Sequence, residues 1–131
     1  GPGIIREYVR LGGIDSRDDG SPIDGAEIDF RANNGDIRAQ AAEELSGRAL
    51  GEVLGSMCNM LDPSAIILSG SVAECGLYWH NALHAAFGSQ AMPPIKTTPI
   101  IQGALGAEAP LIGAVENLFD PAYFETRNTC H

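Results

Sequence analysis

The sequence has no long apolar run, few cysteines and few basic residues. A membrane-spanning helix needs about 20 predominantly apolar residues, and the chain contains no such run. The three cysteines, Cys58, Cys75 and Cys130, form no C-x-x-C pair, which argues against a disulfide framework or a zinc site built from them alone. Eight basic and 17 acidic residues give a net charge of −9, whereas surfaces that bind nucleic-acid phosphates are basic.

These absences predict a cytoplasmic protein with reduced thiols and neither a membrane partner nor direct nucleic-acid contact by this segment. The sequence also lacks a charged-then-apolar leader, so no signal peptide is expected. The 131 residues, 44% of them hydrophobic and 19% charged, are typical of one globular domain or part of one.

Helical periodicity dominates what is present. Apolar residues recur at three- and four-residue steps in five segments, which predict helices over about 4–11, 24–32, 37–61, 77–87 and 107–119. Asp24 and Asp36 are suited to cap the second and third helices. Asp62-Pro63 should end the third, because a residue before proline avoids the helical region.

The longest predicted helix carries three glycines on one face. Gly47, Gly51 and Gly55 are four residues apart, and each costs about 1 kcal/mol relative to alanine inside a helix. Close packing against another helix, or room for a ligand, would offset that cost, and packing is the favoured interpretation. His80 and His84 are one helical turn apart, but no third ligand is obvious, so no metal site is predicted.

Residues 65–68 form a short apolar run that stops at small residues. Such a run between helices predicts a buried interior strand of a parallel sheet. A second strand is expected between Ile95 and Ile101, at an edge because it contains Pro99. Two strands make a thin α/β domain, so we expect further strands upstream or from a partner chain.

The residues after the first strand are the main candidate for a binding site. Open α/β sheets bind ligands at the carboxyl ends of their strands, where small residues let a ligand approach the backbone. Ser69, Gly70 and Ser71 meet that requirement. The alternative is a turn that only reverses the chain.

Three ordered segments resemble the ROK (repressor, ORF, kinase) family. Its pattern is N-x-L-x-P, an apolar strand ending in G-G-x-V, and L-G-x-x-A-x-L-x-G-A; the matching residues are Asn59–Pro63, Ile66–Val72 and Leu105–Ala114. Gly1–Ile4 is similar to the family's S-G-x-G-I segment. Ser69 departs from the first glycine of G-G-x-V and Ser71 stands at its variable position, and many relatives have glycine at both.

The resemblance implies part of an actin-like, ribonuclease-H-like, two-lobed sugar kinase fold of the α/β class, helix-rich and with few strands. Residues 1–118 would form part of the C-terminal lobe, and 119–131 a polar tail. Ser69, Gly70, Ser71 and Val72 would bind the nucleotide. The resemblance also implies ATP and Mg²⁺ as cofactors, a nucleotide and a sugar as ligands, and a homo-oligomer. The catalytic aspartate and any zinc motif would lie upstream, leaving this chain no catalytic or metal residue.

Three functions remain open at this point. The chain could belong to an ATP-dependent kinase of a hexose or amino sugar, inactive as an isolated fragment. It could instead form the effector-binding and dimerisation domain of a ROK-type transcriptional repressor. The third alternative is an oligomerisation module without catalytic activity. The kinase is preferred, because the strand-end turn and the Leu105–Ala114 motif both follow the family pattern.

Overall fold

The described part of the protein is mostly helical. A computed structural model describes residues 2–104, apart from the side chains of Val72 and Ala73. Its elements, in chain order, are α1 (Pro2–Arg10), α2 (Gly25–Asn33), α3 (Ile37–Leu61), β1 (Ile66–Leu68), a short 3-10 helix (Ser71–Glu74), α4 (Leu77–Gln90) and β2 (Ile100–Gln102). The predicted helix over 107–119 and the polar tail lie outside the described residues.

Side-chain caps set the boundaries of α2 and α3 as predicted. The Asp24 carboxylate accepts a hydrogen bond from the Glu27 N–H, and that of Asp36 accepts from the second and third residues of α3. These bonds satisfy backbone donors that a helix start leaves free. At the other end of α3, Asp62 adopts a left-handed conformation (φ 44°) and its N–H bonds the Cys58 carbonyl. The predicted end at Asp62-Pro63 is confirmed.

Helices α3 and α4 pack with their backbones in close contact. An ideal Cβ at Gly47 would lie 2.2 Å from the Trp79 carbonyl oxygen, and one at Gly51 would lie 2.3 Å from that of Leu83. Later residues of α3 contact later residues of α4, so the two helices run parallel. This confirms that the glycine face serves helix packing.

The two strands form one parallel pair. The Ile66 N–H donates to the Pro99 carbonyl at 2.8 Å, and the Gly103 N–H donates to that of Leu68 at 2.6 Å. Both bonds advance in the same direction along the two strands, as in a parallel ladder. The prediction of a strand buried on both faces is wrong within the described residues: Ile66 is buried, but Ile67 is 69% exposed.

Two other expectations need correction. Leu77 was expected among the apolar contacts of α4, yet it is 69% exposed, while Trp79, Leu83 and Phe87 are buried. The second strand is shorter than predicted, because residues 93–97 form turns. The Ile95 N–H bonds the Met92 carbonyl, and the two preceding prolines have no N–H to give to a sheet.

The chain divides into two compact units. Among the described residues, the first contains 2–66 and Cys75–Ile101, and the second contains Ile67–Glu74 and 102–104. The first unit holds all four α-helices, and most of its core comes from these buried side chains: Ile4, Tyr8, Ile28, Ala39, Ala42, Trp79, Leu83 and Phe87. The candidate turn belongs to the second unit.

Candidate functional site

The predicted nucleotide turn begins directly after β1. Gly70 has φ +83°, a conformation that side chains rarely adopt, and an ideal Cβ there would have no atom of the described residues within 4 Å. Ser69 and Ser71 are both exposed, so their hydroxyl groups can reach solvent or a ligand. The glycine is therefore required by the backbone conformation and leaves open space beside it.

The structure places the four predicted residues in two kinds of local structure. Ser69 and Gly70 form the turn, whereas Ser71 and Val72 begin the 3-10 helix. The predicted start of the following helix is confirmed, because α4 begins at Leu77. The side chain of Val72 lies outside the described residues.

Gly103 approaches the same strand end from β2. An ideal Cβ at Gly103 would lie 3.2 Å from the Leu68 carbonyl oxygen and 3.4 Å from the Ser69 Cβ. Ser69 and Gly103, which follow the two adjacent strands, thus have a small side chain or none. A backbone surface of this kind allows a planar ligand to approach closely.

A separate polar network fixes the loop over residues 14–23. Arg31 donates to the carbonyl oxygens of Ile14 at 2.7 Å and Ser16 at 2.8 Å, and its Nε donates to Glu27 at 2.9 Å. The Tyr8 hydroxyl donates to Asp36 at 2.7 Å. Burial alone would raise the pKa of Asp36, but hydrogen bonds from Tyr8 and two backbone N–H groups bring it below its usual value. We interpret this network as structural.

Two open cavities lie in the first unit. One, of about 930 Å³, runs along α3 and α4 past Arg48, Tyr78 and Asn81. The other, of about 710 Å³, lies beside the polar loop and is lined by Arg17 and Arg31 among others. Neither of these two cavities includes a residue of the candidate turn.

The sequence reasoning missed a buried acidic cluster at the start of α4. Glu43 is 1% exposed. Among the described residues, its Oε2 atom has no hydrogen-bond partner, and neither has the buried Oδ1 atom of Asp29, a residue that is itself half-buried. Burial, and then the charge of Asp29, raises the pKa of Glu43 to about 7. Burial also raises the pKa of Cys75. A signal was available, because Glu43 is four residues before Gly47 and so shares the face that packs against α4.

The described residues contain neither a cluster of metal-ligating side chains nor a helix that could span a membrane. Between residues 2 and 104, no three histidine, cysteine, aspartate or glutamate side chains are grouped as metal ligands would be. His80 stacks edge-on against Trp79, with ring centroids 4.9 Å apart, and His84 is exposed. No helix in this part of the chain combines the length and apolarity needed to cross a membrane.

Two solved structures of sugar kinases are similar to this chain. The ROK hexokinase from Thermus thermophilus is 26% identical with a TM-score of 0.68, and the match covers 87% of this chain and 37% of that protein. The ROK family glucokinase from Streptomyces griseus, in complex with glucose and AMPPNP, is 26% identical with a TM-score of 0.64, covering 88% and 36%. The predicted fold, part of a helix-rich sugar kinase fold, is confirmed.

A transcriptional regulator is also similar in sequence. The DNA-binding transcriptional dual regulator NagC from Escherichia coli is 28% identical over 75 residues, which is 56% of this chain and 18% of the regulator. The chain therefore spans about a fifth of that relative and just over a third of the two kinases. The kinases and the regulator are thus all similar to this chain. The model of the ROK family matches residues 1–119, and the chain therefore belongs to the ROK family.

Proposed function

We propose that this chain is the adenosine-side part of an ATP-dependent sugar kinase that phosphorylates a hexose or amino sugar. One observation carries the proposal: the matches to ROK hexokinase and glucokinase structures extend over nearly nine-tenths of the chain. One of those kinases was solved with AMPPNP, a non-hydrolysable ATP analogue. The chain would act within a longer protein, which we expect to be a cytoplasmic homo-oligomer.

The turn after β1 would contact the nucleoside. Among residues 2–104, no atom occupies the space where a Gly70 side chain would lie, so a purine or ribose can approach its backbone there. The exposed hydroxyl groups of Ser69 and Ser71 can donate and accept hydrogen bonds, which suits ribose and base edges. Glu74, at the end of the 3-10 helix, opposes phosphate by its charge. We therefore assign adenosine, not the phosphates, to Ser69, Gly70, Ser71 and Val72.

The remaining chemistry requires residues from the rest of the protein. Phosphoryl transfer depends on positioning and charge neutralisation, with Mg²⁺ on the phosphates and an aspartate accepting the hydroxyl proton. The turn is suited to orient ATP but supplies no base. We expect the base, the first phosphate loop and any zinc motif upstream, so the 131-residue chain should give no ATP-dependent glucose phosphorylation.

Titration of the 131-residue chain with AMPPNP, followed by backbone amide NMR, tests the nucleotide assignment. We expect the amide signals of Ser69 to Val72 to shift, with weak affinity because the chain spans about a third of these kinases. Gly70→Asn should abolish the shifts, because asparagine tolerates positive φ while its side chain fills the space.

Gly20→Asn is the matched control. Gly20 has φ +81° and no atom within 4 Å of an ideal Cβ, almost the same as Gly70, but it lies in the polar loop. This variant should bind AMPPNP like the unmodified chain. Equal binding by the Gly70→Asn variant, or shifts confined to other residues, would count against the assignment.

The regulator similarity supports a second candidate function. In that case the chain would help a ROK-type repressor to bind a sugar effector and dimerise, and the turn would have no nucleotide to bind. The 28% identity to NagC over 75 residues favours this alternative. A folded chain that shows no AMPPNP response, but shows shifts on adding N-acetylglucosamine, would support the regulator over the kinase.

A further inference from the structure

Two carboxyl oxygens are buried where α2, α3 and the start of α4 meet. Glu43 of α3 is 1% exposed, and its Oε2 atom has no hydrogen-bond partner among the described residues. Asp29 of α2 is half-buried, and its buried Oδ1 atom is likewise without a partner in this part of the chain. A buried polar atom left unpaired costs about 1–3 kcal/mol, and more when it is charged. Two such oxygens in one region call for a physical explanation.

The positions of both groups relative to α4 follow from the packing. An ideal Cβ at Gly76, the N-cap of α4, would lie 1.7 Å from Asp29 Oδ1. Asp29 therefore occupies the space where a side chain at the helix start would be. Gly47 and Gly51 of α3 contact Trp79 and Leu83 of α4. Four residues before Gly47 and four before Trp79, the same register places Glu43 beside Cys75.

A proton on Glu43 would give this region a hydrogen-bond donor. A protonated carboxyl group is a donor, whereas an ionised one only accepts. With both ionised, like charges would be buried together, which is unfavourable. The electrostatics agree, since burial and the charge of Asp29 raise the pKa of Glu43 to about 7.

We propose that Glu43 and Asp29 share a proton in a buried carboxyl pair that fastens the start of α4 to α2 and α3. Loss of the proton at rising pH loosens this junction. The Glu43–Asp29 pair lies within the first unit, and its effect is independent of the function proposed for the turn. It makes the junction sensitive to pH near neutrality.

The other ionisable groups around the junction have separate roles. Burial raises the pKa of Cys75, so its thiol stays neutral over the relevant range. On α1, Tyr8 donates to Asp36, and Arg31 of α2 donates to Tyr8. His80 of α4 lies against Trp79. Because its ring contacts Trp79, a His80 variant must be included in the test.

The direction of the pH effect follows from proton linkage. Between its usual pKa of 4.5 and about 7, Glu43 holds a proton in the folded state that it loses on unfolding. The free energy of unfolding should therefore fall as pH rises through this window and become level above it. Replacement by neutral glutamine should remove this dependence.

The chain contains a built-in reporter of the junction. Trp79 is the sole tryptophan, is 1% exposed, and donates from its indole nitrogen to the Ser46 hydroxyl at 3.2 Å. Ser46 follows Glu43 by one turn of α3. Tryptophan fluorescence can therefore be recorded at a position next to the proposed pair.

The experiment measures thermal unfolding and Trp79 fluorescence of the 131-residue chain between about pH 5 and about pH 8. In the unmodified chain the Tm should fall by on the order of 5 °C across this range, and the fluorescence should change with the same midpoint. Glu43→Gln should remove both changes and raise the Tm at the upper pH. Asp29→Asn should move the midpoint to lower pH, because the neighbouring charge is gone.

Two controls and one direct measurement complete the test. Glu44→Gln alters an exposed neighbour and should leave the profile unchanged, as should His80→Gln. Carbon-13 NMR of the Glu43 side-chain carboxyl should show titration near neutrality in the unmodified chain. The proposal is overturned if that carboxyl titrates at its usual value, or if Glu43→Gln keeps the full pH-dependent fall in Tm.

Discussion

Glycines serve opposite purposes in the helix pair and in the strand-end turn. In α3, Gly47 and Gly51 have ordinary helical backbones, and a side chain is excluded because the backbone of α4 lies 2.2–2.3 Å from the Cβ position. At the turn, no described residue lies within 4 Å of that position at Gly70, and the requirement comes from φ +83°. At Gly47 and Gly51 the neighbouring helix requires glycine, whereas at Gly70 the backbone conformation requires it.

This difference separates structural from ligand-binding uses of the same residue. Where a neighbour fills the space, the absent side chain is already explained by packing. Where the space is empty, only the backbone conformation is explained, and the space stays accessible. The turn is therefore the stronger candidate for a ligand contact, although the helix pair contains more glycine.

The largest effect should come from filling the space between α3 and α4. Gly51→Ala places a methyl group against the Leu83 carbonyl, and the helices must separate to make room. Overpacking costs about 1–3 kcal/mol, and contact with backbone atoms places Gly51→Ala at the upper end of that range or above it. The gain in helix propensity offsets about 1 kcal/mol of this loss. We expect a net loss of about 2 kcal/mol in the free energy of unfolding, measured by urea denaturation.

Gly88→Ala is the matched control for that variant. Gly88 also lies in a helix, α4, but an ideal Cβ there meets nothing within 4 Å. The substitution should therefore stabilise the chain by up to about 1 kcal/mol. If both variants were stabilised equally, the close approach between α3 and α4 would be incorrect.

Removing the cap of α3 should have the next largest effect. Asp36→Ala deletes the acceptor for two backbone N–H groups and for the Tyr8 hydroxyl. Loss of an N-cap costs about 1 kcal/mol, so we expect a smaller loss than for Gly51→Ala. Tyr8→Phe, which removes only the hydroxyl, should lose less than Asp36→Ala; a larger loss would show that the cap is secondary. Urea denaturation of both variants gives the order.

Local signals allowed much of the helical structure to be predicted. The bounds of α3, Ile37–Leu61, were predicted because an aspartate cap and an Asp-Pro pair mark its two ends within the sequence itself. The four-residue spacing of Gly47, Gly51 and Gly55 is likewise a local signal, and it predicted close helix packing. Its partner, α4, and the register between the two helices had no such signal.

The failures depended on contacts distant in sequence. Ile67 and Leu77 are apolar yet exposed, because burial depends on which elements cover them and not on the periodicity of their own segment. Glu43 is a charged residue within the periodic apolar pattern of α3, and that pattern alone predicts no burial for it. Its burial beside Asp29 depends on three elements meeting, and only its four-residue spacing from Gly47 hinted at that.

The smallest stability effect should be found at the turn, and it depends on the residue introduced. Gly70→Ala should cost about 1 kcal/mol, because alanine disfavours positive φ, although no neighbour is displaced. Gly70→Asn should cost less, since asparagine adopts this conformation more readily. At Gly51 the order should reverse, because asparagine is larger than alanine and the space is already filled. Urea denaturation of the four variants measures this reversal, and a larger loss for Gly70→Asn than for Gly70→Ala would mean that a neighbour also fills the space at Gly70.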